Sequence, residues 1–432
     1  MGSDTATQAL QKLLIVVPTR NRPELALNAI TSILESDESS IEVMVSDNST
    51  VSAYVDQVAQ FVAQCGDQRL FLYRPPEPLA MTPHWDWALA LACERPGVSH
   101  VVVLTDRMIF KRDALTALRE ISAHRPGSII SYNHDRIVDH RLPMRVELQE
   151  WTDEVLSVQS ETLLELSSRC VFPQALPRLL NCVTPVSVLQ AVERECGNYV
   201  GSISPDYSFC YRALSLVPDI IFWDRSPIVH YALARSNGES TARGVETSDS
   251  VDFLRAAAVP MCSRAPMPGV FTLVNAMLHE YVVARDETMS ASFPAIDKRV
   301  YVDHIDGELA LMENKKRSSE MVRQVDAFRM REGLPRETAP MESRSVSYAR
   351  NVLRKAGVGP RVLHARQRLH ALLVPPRLET DPPLFDELDS ALAYARSHDG
   401  QQLLNSEQHL LYLKGRVVDF RERGSRSPIE TA

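Results

Sequence analysis

This 432-residue sequence is narrowed first by what it lacks. No stretch approaches the roughly 20 apolar residues that cross a bilayer. The start, Met1 to Gln11, has neither the basic region nor the apolar core of a signal peptide. Gly2 does not begin a myristoylation site, because Ala6 stands where Ser or Thr is needed. The seven cysteines (Cys65, Cys93, Cys170, Cys182, Cys196, Cys210, Cys262) are odd in number and scattered, with no paired spacing of the zinc or redox type. They exclude a disulfide framework and point to a reducing cytoplasm. A net charge of -8 excludes a chain that binds nucleic acid through its overall field. No repeat of solenoid length is visible. The expectation is a soluble cytoplasmic protein whose only membrane contact is peripheral, at the cytoplasmic face.

What is present fits a globular chain with room for two or three domains, 44% hydrophobic and 24% charged. Two short apolar runs, Leu13 to Val17 and Ile41 to Val45, each lead into a polar turn. Those turns are Pro18-Thr19-Arg20-Asn21-Arg22 and Ser46-Asp47-Asn48-Ser49-Thr50. Buried parallel strands read as short apolar runs, and ligands of α/β sheets collect at their carboxyl ends. Between the turns, Leu27, Ile30, Ile33 and Leu34 recur at helical spacing, which completes a strand-helix-strand unit. Further strands are expected at Leu70 to Tyr73, His100 to Leu104, Ser128 to Tyr132 and Asp219 to Trp223, with helices at Trp85 to Cys93 and Asp113 to His124. The alternation predicts an α/β domain with a mixed, mostly parallel sheet over residues 12–245.

Beyond Gly244 the periodicity turns helical, with Ile305, Leu309 and Met312, then Met321, Val325 and Phe328, each on one face. This predicts a helical region over 246–423 between a disordered start (1–11) and a disordered tail (424–432). Leu384, Leu388, Leu392 and Ala395 define one helix entered through Asp381-Pro382-Pro383, and another is expected from Ser406 to Arg423. Arg344 to Arg377 carries several arginines and no Asp or Glu. It reads either as a helix packed with its basic side solvated, or as a surface for an anionic membrane or phosphate-bearing acceptor.

The two polar turns, taken with His100-Val-Val-Val-Leu-Thr-Asp-Arg-Met108 and Ser204-Pro-Asp-Tyr-Ser-Phe209, resemble a family-2 glycosyltransferase of the GT-A fold, over roughly residues 12–245. The first turn matches the Pro-Thr-x-Asn-Arg opening of that family. The second resembles its Asp-Asp-Gly-Ser-Thr element, with Ser46 and Asn48 as the changed positions. The resemblance implies an inverting enzyme of the hexosyl- or N-acetylhexosaminyl-transferase class. Such an enzyme moves a sugar from a nucleotide donor, here a UDP-sugar, to a hydroxyl of a glycan or lipid-linked saccharide, as in polysaccharide biosynthesis. The helical C-terminal region would position the acceptor, support a homo-oligomer or touch the membrane. A nucleotidyltransferase is disfavoured, because no glycine-rich, lysine-bearing loop follows the first strand.

By the same resemblance Pro18, Thr19, Arg20, Asn21, Arg22 and Asp47 line the nucleoside pocket. Arg74 and His84 approach the donor from the segment between Tyr73 and Asp86. Asp206 is the catalytic base that takes the acceptor proton. Asp106 ends a strand where relatives place a carboxylate motif for Mn2+ or Mg2+, but the run here is Asp106-Arg107-Met108. Met108 occupies the position of the last metal-binding aspartate, and a thioether is a poor ligand for these hard cations. Either Asp106 holds a metal with His230, or Arg107 neutralises the diphosphate directly. Arg235 and Ser240 are further phosphate candidates. His134-Asp135 with Asp139-His140 has metal-ligand residue types but no standard spacing, and is read as a solvated loop near the acceptor entrance. The alternative to an enzyme is a catalytically silent sugar-nucleotide or glycan-binding protein of the same fold.

Overall fold

The computed structural model describes residues 12–201, 203–256, 261–335, 382–403 and 416–417. The strand-helix-strand opening is present: β1 (Lys12–Thr19), α1 (Pro23–Leu34) and β2 (Ile41–Asp47). It is followed by α2 (Ser52–Cys65), β3 (Leu70–Tyr73), α3 (Met81–Glu94), β4 (Val98–Val103), β5 (Met108–Phe110) and α4 (Ala114–His124). Next come β6 (Ile130–Val138), β7 (Met144–Glu147), β8 (Val155–Gln159), α5 (Ser160–Ser168), β9 (Cys182–Pro185), α6 (Val186–Cys196), α7 (Pro205–Leu216) and β10 (Asp219–His230). The remainder comprises α8 (Asn237–Arg243), α9 (Ser248–Ala256), α10 (Leu273–Thr288), α11 (Lys298–Leu311), α12 (Lys315–Glu332), β11 (Leu384–Phe385), α13 (Leu388–Ser397) and β12 (Arg416–Val417).

The strands form one mixed sheet in the order β12-β8-β10-β6-β9-β4-β1-β2-β3, with β5 paired to β10, β7 to β6 and β11 to β7. From β4 through β1 and β2 to β3 all pairing is parallel, so these strands end on the same side of the sheet. β6 and β10 form a second parallel pair, and β9 joins the two halves by antiparallel pairing to β4 and β6.

Alternation along β1 explains why an unbroken apolar run is required there. Leu14 and Val16 enter one core, against α3, α6, α7 and the C-terminal helices, while Leu13, Ile15 and Val17 enter another beneath α1 and α4. Both faces are covered. Pro23 and Pro205 start α1 and α7, where proline has no backbone donor to lose.

The helical faces expected after Gly244 are buried as drawn: Ile305, Leu309 and Met312, and Met321, Val325 and Phe328, join the core that contains Leu14. One continuous core therefore crosses residue 245. α7 and α10 are further tied by Arg212, 2% exposed, whose guanidinium forks onto Glu287 at 2.8 and 2.9 Å.

Residues 382–403 form a strap across the sheet edge. Leu384–Phe385 pairs with β7 as a strand, so the helix expected from Leu384 begins at Leu388 instead. Ala391, Leu392 and Ala395 still face the core, against Ile137, Met144 and Val146. Gly400 lies so close to the chain at Gln149 that a Cβ there would stand 2.1 Å from the Gln149 carbonyl oxygen. Where a helix was expected from Ser406, Arg416–Val417 pairs with β8 as a strand, and the rest of that segment is outside the described residues. The arginine-rich stretch Arg344–Arg377, the first eleven residues and the tail also lie outside them. No helix among the described residues is long and apolar enough to cross a membrane, and the seven cysteines are all free.

The strap is anchored by Lys111, 8% exposed, whose Nζ lies 2.5 Å from Asp135 Oδ2 and 2.9 Å from Asp399 Oδ1. Asp135 is fully buried, and burial pushes its carboxyl up while Lys111 pulls it back. Lys111→Met removes the cation and leaves a buried acid unpaired, which should cost about 3–5 kcal/mol in urea unfolding. The double variant with Asp135→Asn should recover most of that loss; an additive double loss would show that the pair is not the source.

Candidate active site

The carboxyl ends of β1 and β4, the adjoining parts of β6 and β10, and the start of α7 surround a cavity of about 470 Å³. That volume lies within the roughly 300–1,000 Å³ of small-molecule sites. β1 delivers Pro18 and Thr19 to its rim, and Arg20, Asn21 and Arg22 follow along the wall. Asn21 has a left-handed backbone (φ 55°), which Asn adopts more readily than most residues. Its Oδ1 accepts from the Thr50 and Val51 N–H groups at 2.9 and 3.3 Å, and its own N–H donates to Ser49 Oγ at 2.9 Å. The two turns picked out in the sequence are thereby locked to each other. Arg20 donates to the Leu79 carbonyl at 2.6 Å, and Asn48 bonds Leu79 on both sides.

Asp106, 3% exposed, sits just beyond β4. Its Oδ2 accepts from Thr19 Oγ1 at 3.0 Å, and its Oδ1 lies 3.4 Å from Arg22 Nη1. Arg22 also donates to the Arg235 carbonyl at 3.1 Å. Arg107 lines the cavity, whereas Met108 turns away: it is 1% exposed, belongs to the core beneath α1 and pairs across β5 and β10 with His230.

Asp206 occupies the first turn of α7 and lines the opposite wall. Burial raises its pKa, an effect opposed by Arg178, by the Tyr207 N–H and by Arg107. Arg178 reaches the cavity from the loop before β9 and donates to Gln174 Oε1 at 2.8 Å. His134 and His230 stack with ring centroids 4.2 Å apart. Burial lowers the pKa of His134 to about 3, helped by Arg178 and Arg136. Burial also holds His230 well below its ordinary range, with His134, Arg107 and Arg178 adding to the effect. Both rings are neutral at pH 7. His84, 2% exposed, shares a 2.7 Å hydrogen bond with Ser46 Oγ and is lowered to about 4 by burial and by Arg20.

The remaining wall comes from beyond residue 245 and is largely apolar, formed by Phe253, Phe271, Leu273, Ala276 and Met277 with Ile203. Behind it, Glu280 of α10, 1% exposed, accepts the Ile203 and Ser204 N–H groups at 3.1 and 2.8 Å through Oε1. It thus holds the loop that leads into Asp206. Gly201 is required beside it, because a Cβ there would lie 2.6 Å from Ser208 Oγ and 2.9 Å from Glu280 Oε2.

Of the residues singled out in the sequence, Pro18, Thr19, Arg20, Asn21, Arg22, His84, Asp106, Arg107, Asp206, His230 and Arg235 all line this one cavity. Asp47 and Arg74 do not: Asp47 is fully buried, its Oδ1 accepts the Ser49 N–H at 2.9 Å, and its Oδ2 lies 3.6 Å from Arg74 Nε. Its neighbour Asn48 reaches the lining instead. Ser240 is also absent from the lining and donates to the Ser236 carbonyl within α8. His134 and Asp135 are not a solvated loop, since β6 carries His134 into the cavity wall and buries Asp135 against Lys111. Arg178 and Glu280 were missed. Arg178 had one signal, an arginine set between Leu176-Pro177 and Leu179-Leu180, where a buried charge demands a function or a partner.

A divalent cation at Asp106 and His230 fits these residues poorly. The carboxylate already faces Thr19 and Arg22, and Met108, at the position of the motif's last carboxylate, is a buried thioether. Mg2+ and Mn2+ take several hard oxygen donors. No group of three or more His, Cys, Asp or Glu side chains that could hold a metal occurs among the described residues.

No family model matches the chain, and no curated protein matches it. It is similar to crystal structures of S. aureus TarS. The fragment 1–349 in complex with UDP-GlcNAc is 13% identical at a TM-score of 0.42, covering 76% of this chain and 93% of that one. The same fragment with UDP is 13% identical at 0.41, covering 77% and 94%. A third TarS structure is 12% identical at 0.41, covering 74% of this chain and about half (53%) of that one.

Burial raises the Glu280 carboxyl from an ordinary 4.5 to about 7. The folded chain therefore keeps a proton that the unfolded chain has lost, and the stability this supplies is full below pH 4.5 and lost as pH rises through 7. Glu280→Gln keeps an acceptor oxygen for Ile203 and Ser204 but cannot ionise. It should match the wild type near pH 4.5 and exceed it at pH 8 by on the order of 2 kcal/mol in urea midpoints. Parallel pH trends in the two proteins would assign the titration elsewhere.

Proposed function

We propose that this chain is an inverting glycosyltransferase that moves a sugar from a UDP-sugar to a hydroxyl of a glycan or lipid-linked saccharide. The observation that carries the reading is the convergence, in one cavity, of the first strand-end turn, Asp106-Arg107 and Asp206, three separate stretches of the sequence. The turn Pro18–Arg22 with Asn48 and His84 forms the nucleoside side. Asp47 and Arg74 support that side from behind the wall. The arginines around Asp106 take the diphosphate, and Asp206 faces the acceptor.

In this reading Asp206 Oδ removes the proton of the acceptor hydroxyl as the oxygen forms its bond to the anomeric carbon. The bond from that carbon to the β-phosphate oxygen breaks, and its electron pair leaves with the nucleotide. A base in this role must be ionised yet eager for a proton, and burial supplies the second condition by raising the Asp206 pKa. Arg107 and Arg178 oppose that rise and favour the carboxylate form. Guanidinium charge near the breaking bond lowers the barrier further, because negative charge grows on the leaving diphosphate. The neutral rings of His134 and His230 offer hydrogen-bonding nitrogen without adding charge. The apolar wall of Phe253, Phe271 and Leu273 suits the flat faces of an acceptor sugar or the first carbons of a lipid. We assign donor binding to 12–245 and acceptor binding to 246–423, of which the described helices α10, α11 and α12 join the core that contains Leu14.

Asp206→Asn should lower turnover by roughly 10²–10⁴-fold in a UDP-sugar transfer or hydrolysis assay, while nucleotide affinity stays nearly intact. Loss of both together would remove Asp206 from the base role. The acidic limb of the wild-type pH–rate profile should lie above an ordinary carboxylate value of about 4, in the direction burial moves Asp206. Nucleotide binding with no turnover on any UDP-sugar would make the chain a silent binding protein.

A further inference from the structure

The cavity lining contains Arg20, Arg22, Arg107, Arg178 and Arg235 against three carboxylates, Asp106, Asp206 and Asp252, among the described residues. Its histidines add no charge at pH 7, since burial suppresses protonation of His84, His134 and His230. The surplus charge is therefore guanidinium, set in a partly desolvated space where it acts more strongly than in water. Arg107 and Arg178, from separate segments of the chain, line the same cavity as Asp206 and His230, and the charge of each acts on both. Arg22 holds the carboxylate that would otherwise call for a cation, and Met108, where a further carboxylate would be needed, is packed into the core.

On the reading of this cavity as a sugar-nucleotide donor site, we propose that Arg107 and Arg178 bind the donor diphosphate directly, so that nucleotide binding needs no divalent cation. Two guanidinium forks can each offer paired N–H donors to phosphate oxygens, a match in shape as well as charge. Arg22, by neutralising Asp106, keeps that carboxylate from repelling the diphosphate. The leaving group of the transfer step then departs into fixed positive charge supplied by the chain.

The test is isothermal titration of the full chain with UDP, GDP, ADP, uridine and inorganic pyrophosphate, once in EDTA and once in Mn2+. UDP should bind in EDTA within about threefold of its affinity in Mn2+, at least tenfold more tightly than uridine, and pyrophosphate should compete with it. Arg107→Gln and Arg178→Gln should each weaken UDP by about tenfold or more and leave uridine binding unchanged. Arg178→Lys, which keeps a cation, should fall between Arg178→Gln and wild type. If Arg178→Gln does not fold, Arg107→Gln and the pyrophosphate competition carry the decision. UDP binding that appears only with Mn2+, or variants that hold UDP as tightly as wild type, would overturn the arginine site while leaving the donor reading in place. Absence of binding by every nucleoside diphosphate in both conditions would overturn the donor reading and this inference together.

Discussion

The carboxylate of Asp106 is the point on which the rest of the site depends. It closes the end of β1 onto the end of β4 through Thr19, and it draws Arg22 inward from the start of α1. Arg22 then takes hold of the chain at Arg235, so that one buried charge joins three distant stretches. A buried carboxylate needs a cation, and the identity of that cation decides what the neighbouring positions must be. Once an arginine fills the role, the next positions are released from the need to be acidic. Met108 is then free to pack in the core and Arg107 to face the cavity.

Burial and fixed charge act together across the cavity in a way that single residues would not reveal. The same desolvation that discharges His134 and His230 makes Asp206 a better proton acceptor. Arginine, which desolvation does not discharge, becomes the dominant charge. A site of this kind is prepared for an anion before the anion arrives, and little reorganisation is left for the reacting complex.

The strands and turns were legible because local pattern and global environment agree. β1 must feed two cores with alternate residues, so its central run Leu13–Val17 is wholly apolar, and the chain turns polar where the sheet ends. Asp106 and Asp206 were legible through the resemblance of their surrounding stretches to a known motif order, and both reach the cavity. Arg178 and Glu280 were not, because their placement is fixed by contacts with residues far along the chain, and His134 was singled out without its place in the cavity wall. Asp47 lies behind the cavity wall: its Oδ1 accepts the Ser49 N–H, its Oδ2 faces Arg74, and the side chain one place later reaches the lining. Leu384 and Phe385 fit a helical period, but pairing with β7 overrode that local pattern.

The grip of Glu280 on Ile203 and Ser204 gives the site a place in time. The loop before Asp206 receives its hydrogen-bond acceptor from a residue more than seventy positions later, on a helix that must be complete and docked against α7 before the contact exists. The same helix completes the core that β1, β2 and β4 share, so a growing chain leaves that core unfinished until α10 has emerged. The position of Asp206 is therefore fixed late, when α10 docks against α7. A chain interrupted before α10 would carry Asp206 at the end of a loop that lacks its acceptor.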